Sequence, residues 1–215
     1  MKLMFIPAKL KTAINFDNIN IPGKVGVVAT IQYVDSVKKL CNGNFIFGGQ
    51  ILGCDTRNAA RIAKKADSYL YVGTGKFHAI GLALSTDKDV YSLNPSSGEF
   101  SKIKSKEIME YRNRKKVAML KFLNADNVGL LVTLKKGQYT PGKYSNINDK
   151  LALAEKLKRK FPKKKFYVFI FDTLRREDLD DFNWIKTWVN MACPRLAGDY
   201  DGIVNFEDAI KVNSN

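Results

Sequence analysis

The stretch SYLYVGTGKFHAIGLAL, residues 68–84, decides the fold class. Ser68–Val72 is a short, largely aromatic and apolar run and predicts a β-strand rather than a helix. A Gly-x-Gly turn follows, and Phe77–Leu84 then places apolar residues at helical three- and four-residue steps. Strand, turn and helix in this order are the repeating unit of α/β proteins.

The same alternation extends from this stretch in both directions. Further strands are predicted at Val25–Thr30, Asn44–Phe47, Val90–Leu93, Val128–Thr133, Phe166–Phe171 and Trp188–Ala192, and further helices at Gln32–Leu40, Thr56–Ala66 and Lys106–Leu123. Right-handed crossovers join such strands into parallel sheets. We therefore expect an α/β fold of two small parallel-sheet domains with flanking helices, residues 1–105 and 106–215. The two domains are expected to pack on each other and to bind a ligand in the cleft between them.

The composition indicates a soluble cytoplasmic protein. Hydrophobic residues make up 45% and charged residues 27% of the 215 positions, and no apolar run approaches the roughly 20 residues of a membrane-spanning helix. Lys9 and Lys11 interrupt the apolar N-terminus, which argues against a secretory signal. Three cysteines without a CxxC pair argue against both a disulfide scaffold and a zinc finger.

Two of the cysteines follow predicted strands. Cys54 ends a glycine-rich loop and precedes a predicted helix, whose N-terminus would favour the thiolate that binds metals or attacks electrophiles. Cys193 lies in WVNMACPR, residues 188–195, between a strand and a proline suited to a first helical turn. Ligands bind beyond the carboxyl ends of strands in open α/β sheets, so the two thiols could converge. Packing of Cys54 under its loop is the alternative, and Cys41, at a predicted helix C-terminus, is expected to be structural.

Two turns are candidate anion sites. The turn from Gly73 to Lys76 presents main-chain N–H groups that suit a carboxylate or phosphate. His78 replaces the third glycine of the dinucleotide fingerprint, which argues against a Rossmann NAD site. His78 is also the only histidine, so a His-rich metal site is excluded, and a satisfied polar residue beside the turn is its alternative role. The segment VTLKKGQ, residues 132–138, suits either a carboxylate ligand or a solvated turn.

The segments GQILGCD (49–55), GTGKFH (73–78), VTLKKGQ (132–138) and VNMACPRLAGD (189–199) together resemble the diphthamide-biosynthesis family, in the same order and over nearly the whole chain. The resemblance implies an atypical radical enzyme that uses S-adenosylmethionine and a 4Fe-4S cluster. Members transfer an aminocarboxypropyl group to a histidine of translation elongation factor two. Their three similar α/β domains each supply one cluster cysteine.

The resemblance implies that this chain corresponds to the family's second and third domains, with Cys54 and Cys193 as cluster ligands. Nothing in the chain corresponds to the first domain or its cysteine. A separately encoded first-domain chain, a shortened chain or a non-catalytic scaffold would each explain this, and the first is favoured; a dimer of completed units is left open. The expected cofactor-binding residues are Gly73, Gly75, Lys76, His78, Lys136, Gly137, Gln138 and Arg195, with His78 as the catalytic candidate.

The formal net charge of +15 supports a rival hypothesis, a nucleic-acid- or ribosome-binding module. No RNA-binding motif accompanies the charge, and aromatic residues do not interleave with the basic clusters, so we rank it below the enzyme. Solvated lysines on helix faces are the favoured explanation of the charge, and a basic surface would also suit an acidic elongation factor.

Overall fold

A computed structural model describes residues 4, 6–11, 13–16, 19–52, 55–135 and 147–212. The chain divides into two compact units, Met1–Met109 and Glu110–Asn215. The sequence predicts a division after residue 105, and the chain divides after Met109, inside the helix that begins at Ser105. The assignment of these units to the family's second and third domains stays a prediction.

The N-terminal unit contains a five-stranded sheet. Its elements are β1 (Val25–Ala29), α1 (Val34–Leu40), β2 (Phe45–Gln50), α2 (Arg57–Arg61), β3 (Ser68–Val72), α3 (Phe77–Thr86), β4 (Val90–Leu93), β5 (Phe100–Lys102) and the start of α4 (Ser105–Asn124). The strand order is β2-β1-β3-β4-β5, and only the β4–β5 pair is antiparallel among the described strands of this sheet. The strands β1 and β3 are buried throughout because they lie in the middle of this sheet.

The C-terminal unit contains a four-stranded parallel sheet. Its elements after α4 are β6 (Asn127–Thr133), α5 (Ile147–Lys160), β7 (Lys165–Phe171), α6 (Arg176–Asp180), β8 (Thr187–Asn190), α7 (Leu196–Asp199), β9 (Ile203–Asn205) and α8 (Phe206–Lys211). The strand order is β7-β6-β8-β9. Separate apolar clusters cover the two faces, one around Phe122 and Leu130 and the other around Leu131 and Trp188. The predicted α/β class with two mostly parallel sheets is confirmed.

The glycine-rich loop predicted after the second strand is partly wrong, because Gly48 and Gly49 belong to β2. The register with β1 shifts by one residue here, so that Val27 pairs with Phe47 and Val28 with Gly49. A Cβ on Gly48 would lie 2.8 Å from both Ile62 Cδ1 and Val28 Cγ1. Gly48 therefore marks a bulge with close packing, which is a common use of glycine inside a strand.

Several predicted boundaries are also wrong. The helix expected over residues 56–66 ends at Arg61, and turns continue to Lys65. Asp55 accepts a hydrogen bond at Oδ1 from the main-chain N–H of Arg57, the first residue of this helix, at 3.1 Å. The strand β8 ends at Asn190 rather than residue 192. Pro194 precedes the short helix α7 instead of lying in its first turn, because α7 begins only at Leu196.

Part of the lysine excess has a structural role. Lys164 Nζ donates to the main-chain carbonyls of Leu123 and Ala125, each at 2.7 Å, where α4 ends. Lys160 Nζ donates to the carbonyl of Ile210 at 2.6 Å. Lys88 Nζ donates to the carbonyls of Ala63 and Ala66, which follow α2 in the chain. Cations near helix C-termini are favourable because the last carbonyls lack helical partners. No helix in the described part of the chain is long and apolar enough to cross a membrane.

Candidate functional site

The turn between β3 and α3 presents an open main chain. Gly75 has a φ of +72°, and nothing lies within 4 Å of the position its Cβ would take. Gly73 is buried, and a Cβ there would lie 2.3 Å from Tyr71 Oη. The Tyr71 hydroxyl donates to the Thr74 carbonyl at 3.3 Å and so supports the turn from below. One glycine is thus required by conformation and the other by close approach.

The charge on this turn is partly neutralised. The Lys76 ammonium donates to Glu107 Oε1 at 2.8 Å. This hydrogen bond raises the pKa of Lys76 and lowers the pKa of Glu107. The Lys76 side chain is therefore engaged within its own unit, and any anion at the turn would meet chiefly main-chain N–H groups at the start of α3.

His78 lies in the first turn of α3 among aromatic rings. Its ring centroid is 5.8 Å from that of Tyr71 and 5.5 Å from that of Phe77. The residue is partly exposed. Burial raises the pKa of Tyr71, so that this phenol stays protonated across the physiological range. These two aromatic rings flank the imidazole beside the Gly73–Lys76 turn, which the sequence predicts as a ligand site.

In the C-terminal unit, buried polar residues end three adjacent strands. Thr133, Asn190 and Asn205 are the last residues of β6, β8 and β9, and all three are buried. Parallel strands that are neighbours in a sheet end at the same edge, so these side chains form a polar row there. Buried polar groups are costly unless they are hydrogen-bonded, which makes such a row a feature that needs partners.

Two asparagines hold the segment that carries Cys193. Asn190 Nδ2 donates to the Cys193 carbonyl at 2.9 Å and to Asn205 Oδ1 at 2.8 Å. Asn190 Oδ1 accepts from the Ala192 main-chain N–H at 2.9 Å, and Asn205 Nδ2 donates to the Pro194 carbonyl at 3.3 Å. The main chain on both sides of Cys193 is therefore fixed to the ends of β8 and β9, and Cys193 is a free cysteine that is partly exposed as a residue.

Cys41 has a different environment. It is the C-cap of α1, packs against the apolar cluster around Val37 and Phe45, and lies at the amino end of β2. Burial raises the pKa of the Cys41 thiol to about 11. At neutral pH the thiol is protonated, which disfavours metal binding and nucleophilic attack.

The other predicted residues fall into two groups. Arg195 is exposed and forms the N-cap of α7, two positions after Cys193. Cys54, Lys136, Gly137 and Gln138 lie outside the described residues. Within the described part, no group of three His, Cys, Asp or Glu side chains could hold a metal ion.

The sequence did not predict one charged residue at this edge. Lys150 lies in the first turn of α5, is only 4% exposed, and donates through Nζ to the Thr133 carbonyl at the end of β6. The signal for the asparagines was present, since Asn190 and Asn205 are polar residues ending apolar strands. The sequence does not indicate that Lys150 is buried, because several other lysines occur in the same helix, α5.

A family model described as "Putative diphthamide synthesis protein" matches residues 3–208. The chain belongs to this diphthamide-synthesis family. The family resemblance found in the sequence is thereby confirmed, over a span that includes the Gly73–His78 turn and the Cys193 segment.

Among the relatives of this family member is the 2-(3-amino-3-carboxypropyl)histidine synthase of Methanocaldococcus jannaschii, 29% identical over 178 residues. That alignment covers 82% of this chain and 46% of the relative. The Gallus gallus protein named 2-(3-amino-3-carboxypropyl)histidine synthase subunit 1 is 26% identical over 93% of this chain and 50% of its own length. The chain thus spans about half the length of these curated relatives.

The fold also matches a solved structure, described as Dph2 from Pyrococcus horikoshii with a 4Fe-4S cluster. The TM-score is 0.65 at 23% sequence identity, over 87% of this chain and 57% of that one. This likeness establishes a shared α/β fold.

Proposed function

We propose that this family member supplies part of an enzyme that transfers a 3-amino-3-carboxypropyl group from S-adenosylmethionine to a histidine of translation elongation factor two. Family membership and the names of the relatives support the reaction class. One structural observation carries the proposal: Cys193 is a partly exposed thiol at the carboxyl end of β8, in a segment held by two buried asparagines. A residue that only filled space would not need this arrangement.

The cysteine chemistry fits a 4Fe-4S cluster. We assign Cys54 and Cys193 as two of its ligands, with the third cysteine from a separate first-domain chain. Cys193 suits this role because thiolates are the preferred ligands of iron–sulfur clusters and this partly exposed free cysteine lies at the carboxyl end of β8. Cys41 does not, because burial keeps it protonated. When bound and reduced, the cluster would supply the electron for cleaving the carbon–sulfur bond of the sulfonium.

The protein side chains and main chain would bind and orient the ligand. The N–H groups from Gly73 to Lys76 suit an anionic group, because Gly75 leaves the turn open. Arg195 is exposed two positions after Cys193 and suits a carboxylate. His78, held beside Tyr71, would orient the ligand or its amine. Lys136, Gly137 and Gln138 complete the proposed binding residues.

The proposed enzyme includes a second chain. The chain covers about half of its relatives, and the Gallus gallus relative is named as a subunit. A separate chain that supplies the first domain would account for both facts. A scaffold role is the alternative, and it predicts no contribution of Cys193 to cluster binding.

The test is anaerobic iron–sulfur reconstitution of the chain, with and without a candidate first-domain partner. Iron content, electron paramagnetic resonance and S-adenosylmethionine cleavage are the readouts. Cys54→Ala and Cys193→Ala should each lower cluster content and abolish cleavage, whereas Cys41→Ala, the matched control, should retain both. A cluster that forms equally well in Cys193→Ala, or no cluster with any partner, would contradict the proposal.

A further inference from the structure

Lys150 is the only charged side chain in the buried class among the residues that the structure describes. Its Nζ donates to the carbonyl of Thr133, which ends β6, the strand beside β8. The sheet register pairs Leu131 with Asn190, so the residues that follow them, Thr133 and Cys193, continue toward the same sheet edge. The Lys150 ammonium therefore lies at the edge that carries Cys193.

This ammonium has no counter-ion in the described part of the chain. None of the salt bridges there involves Lys150. Residues 136–146, which precede α5 in the sequence, include no Asp or Glu. A buried cation without an anionic partner is costly.

The position in the helix adds to this cost. Lys150 lies in the first turn of a 14-residue helix, where the helix dipole favours anions and disfavours cations. Burial accordingly lowers the pKa of Lys150. Two independent features, the helix N-terminus and a nearly fully buried ammonium, thus create a positive potential at one point. Both would be stabilised by an anion.

The other carbonyl-binding lysines differ from Lys150 in exposure and in the number of carbonyls that they contact. Lys88 and Lys164 each donate to two main-chain carbonyls and remain partly exposed. Lys150 donates to one carbonyl, which leaves two of its three N–H donors for another acceptor. The hydrogen bond to Thr133 therefore does not use all the N–H donors of Lys150.

We propose that Lys150 binds the carboxylate of the ligand at the carboxyl ends of β6 and β8, a role that rests on the proposed function. The carboxylate would accept a charge-assisted hydrogen bond from Nζ, while the same ammonium keeps its bond to Thr133. Asn190 and Asn205 would fix the adjacent Cys193 segment relative to it. This gives the C-terminal unit a carboxylate-binding residue in addition to Arg195.

The experiment compares Lys150→Met with Lys88→Met, a control that removes another carbonyl-binding lysine. The reconstituted chain, with its partner where the cluster requires one, is titrated calorimetrically with S-adenosylmethionine and with its decarboxylated analogue. Lys150→Met should bind S-adenosylmethionine about tenfold or more weakly, as expected for a lost charge-assisted hydrogen bond. Its affinity for the decarboxylated analogue should match that of the unmodified chain, and Lys88→Met should behave as the unmodified chain with both.

Other outcomes separate the two proposals. Equal weakening with both ligands, or no weakening with either, overturns the role of Lys150. If the unmodified chain binds neither ligand, the proposed function fails, and thermal stabilisation by acetate over chloride at equal ionic strength then decides the anion site. Stabilisation that Lys150→Met loses supports the site, and its absence in all variants overturns it. Lys150→Gln, which keeps a donor for Thr133, replaces Lys150→Met if circular dichroism shows that the latter does not fold.

Discussion

The carboxyl edges of the two sheets carry different kinds of polar group. In the N-terminal unit the edge after β3 offers main-chain N–H groups on an open glycine turn, and its one lysine is paired with Glu107. In the C-terminal unit the edge offers the buried side chains of Asn190, Asn205 and Lys150, and Lys150 forms no salt bridge among the described residues. The α/β fold determines where a ligand can bind in each unit, whereas individual residues determine whether main chain or side chains bind it. The C-terminal edge should accordingly be more sensitive to replacing polar side chains.

The largest effect is expected for Asn190→Leu. This change leaves the Cys193 carbonyl, the Asn205 amide oxygen and the Ala192 N–H without their partner. Each buried polar group left unsatisfied costs on the order of 1 kcal/mol or more, so the free energy of unfolding should fall by about 3 kcal/mol. Urea unfolding followed by circular dichroism measures it. Asn124→Leu removes an exposed hydrogen bond from the side-chain amide to the Leu120 carbonyl and should lower the free energy of unfolding far less. Equal losses of stability in the two variants would refute the special role of the C-terminal edge.

A medium effect is expected in the N-terminal turn, where backbone space rather than side-chain bonding matters. Gly73→Ala places a Cβ against Tyr71 Oη and should destabilise the fold by about 2 kcal/mol through overpacking. Gly75→Ala meets open space but keeps a φ of +72°, so its cost should be about 1 kcal/mol. Thermal unfolding of both variants tests the order. A larger loss of stability for Gly75→Ala than for Gly73→Ala would show that the positive φ of Gly75, and not the contact with Tyr71, is the stronger constraint on this turn.

The smallest effect is expected for Lys76→Met. The ion pair with Glu107 is half exposed on the lysine side, so its loss should cost less than about 1 kcal/mol at neutral pH. Lys76 holds the pKa of Glu107 below its ordinary 4.5, so this stabilisation is present above that value and is lost as the pH falls through the lowered pKa. The stability difference between the variant and the unmodified chain should therefore vanish in acid. A difference that is independent of pH would show that the ion pair is not its cause.

The sequence predicted the central buried strands of both sheets. The buried strands β1, β3 and β6 have largely apolar sequences, and each lies within one residue of its predicted bounds. The three-residue strands β5 and β9 were missed because such short strands carry little periodicity of their own. The early end of α2 was missed because the apolar residues 62, 63 and 66 continue the helical pattern, whereas residues 62–65 fold as turns.

The candidate site was predictable to a lesser degree. Cys193 and the Gly73–Lys76 turn could be proposed because cysteine and glycine after a strand have specific uses in α/β proteins. The asparagine pair depends on the register that brings the ends of β8 and β9 together, with Asn190 opposite Asn205. That pairing is a tertiary property of two segments. The burial of Lys150 likewise depends on how α5 packs beside β6, which no local pattern of charged residues reveals.

The carbonyl-capping lysines bear on how this basic chain would respond to acetylation. Acetylation of Lys164 would replace an ammonium that binds the Leu123 and Ala125 carbonyls with a bulkier neutral amide. The same change at an exposed lysine such as Lys116 would remove only a solvated charge. Acetylation of Lys164 would therefore destabilise the end of α4. Lysines of this protein are thus not equivalent, since lowering the net charge at Lys164 reduces the stability of the fold and lowering it at Lys116 does not.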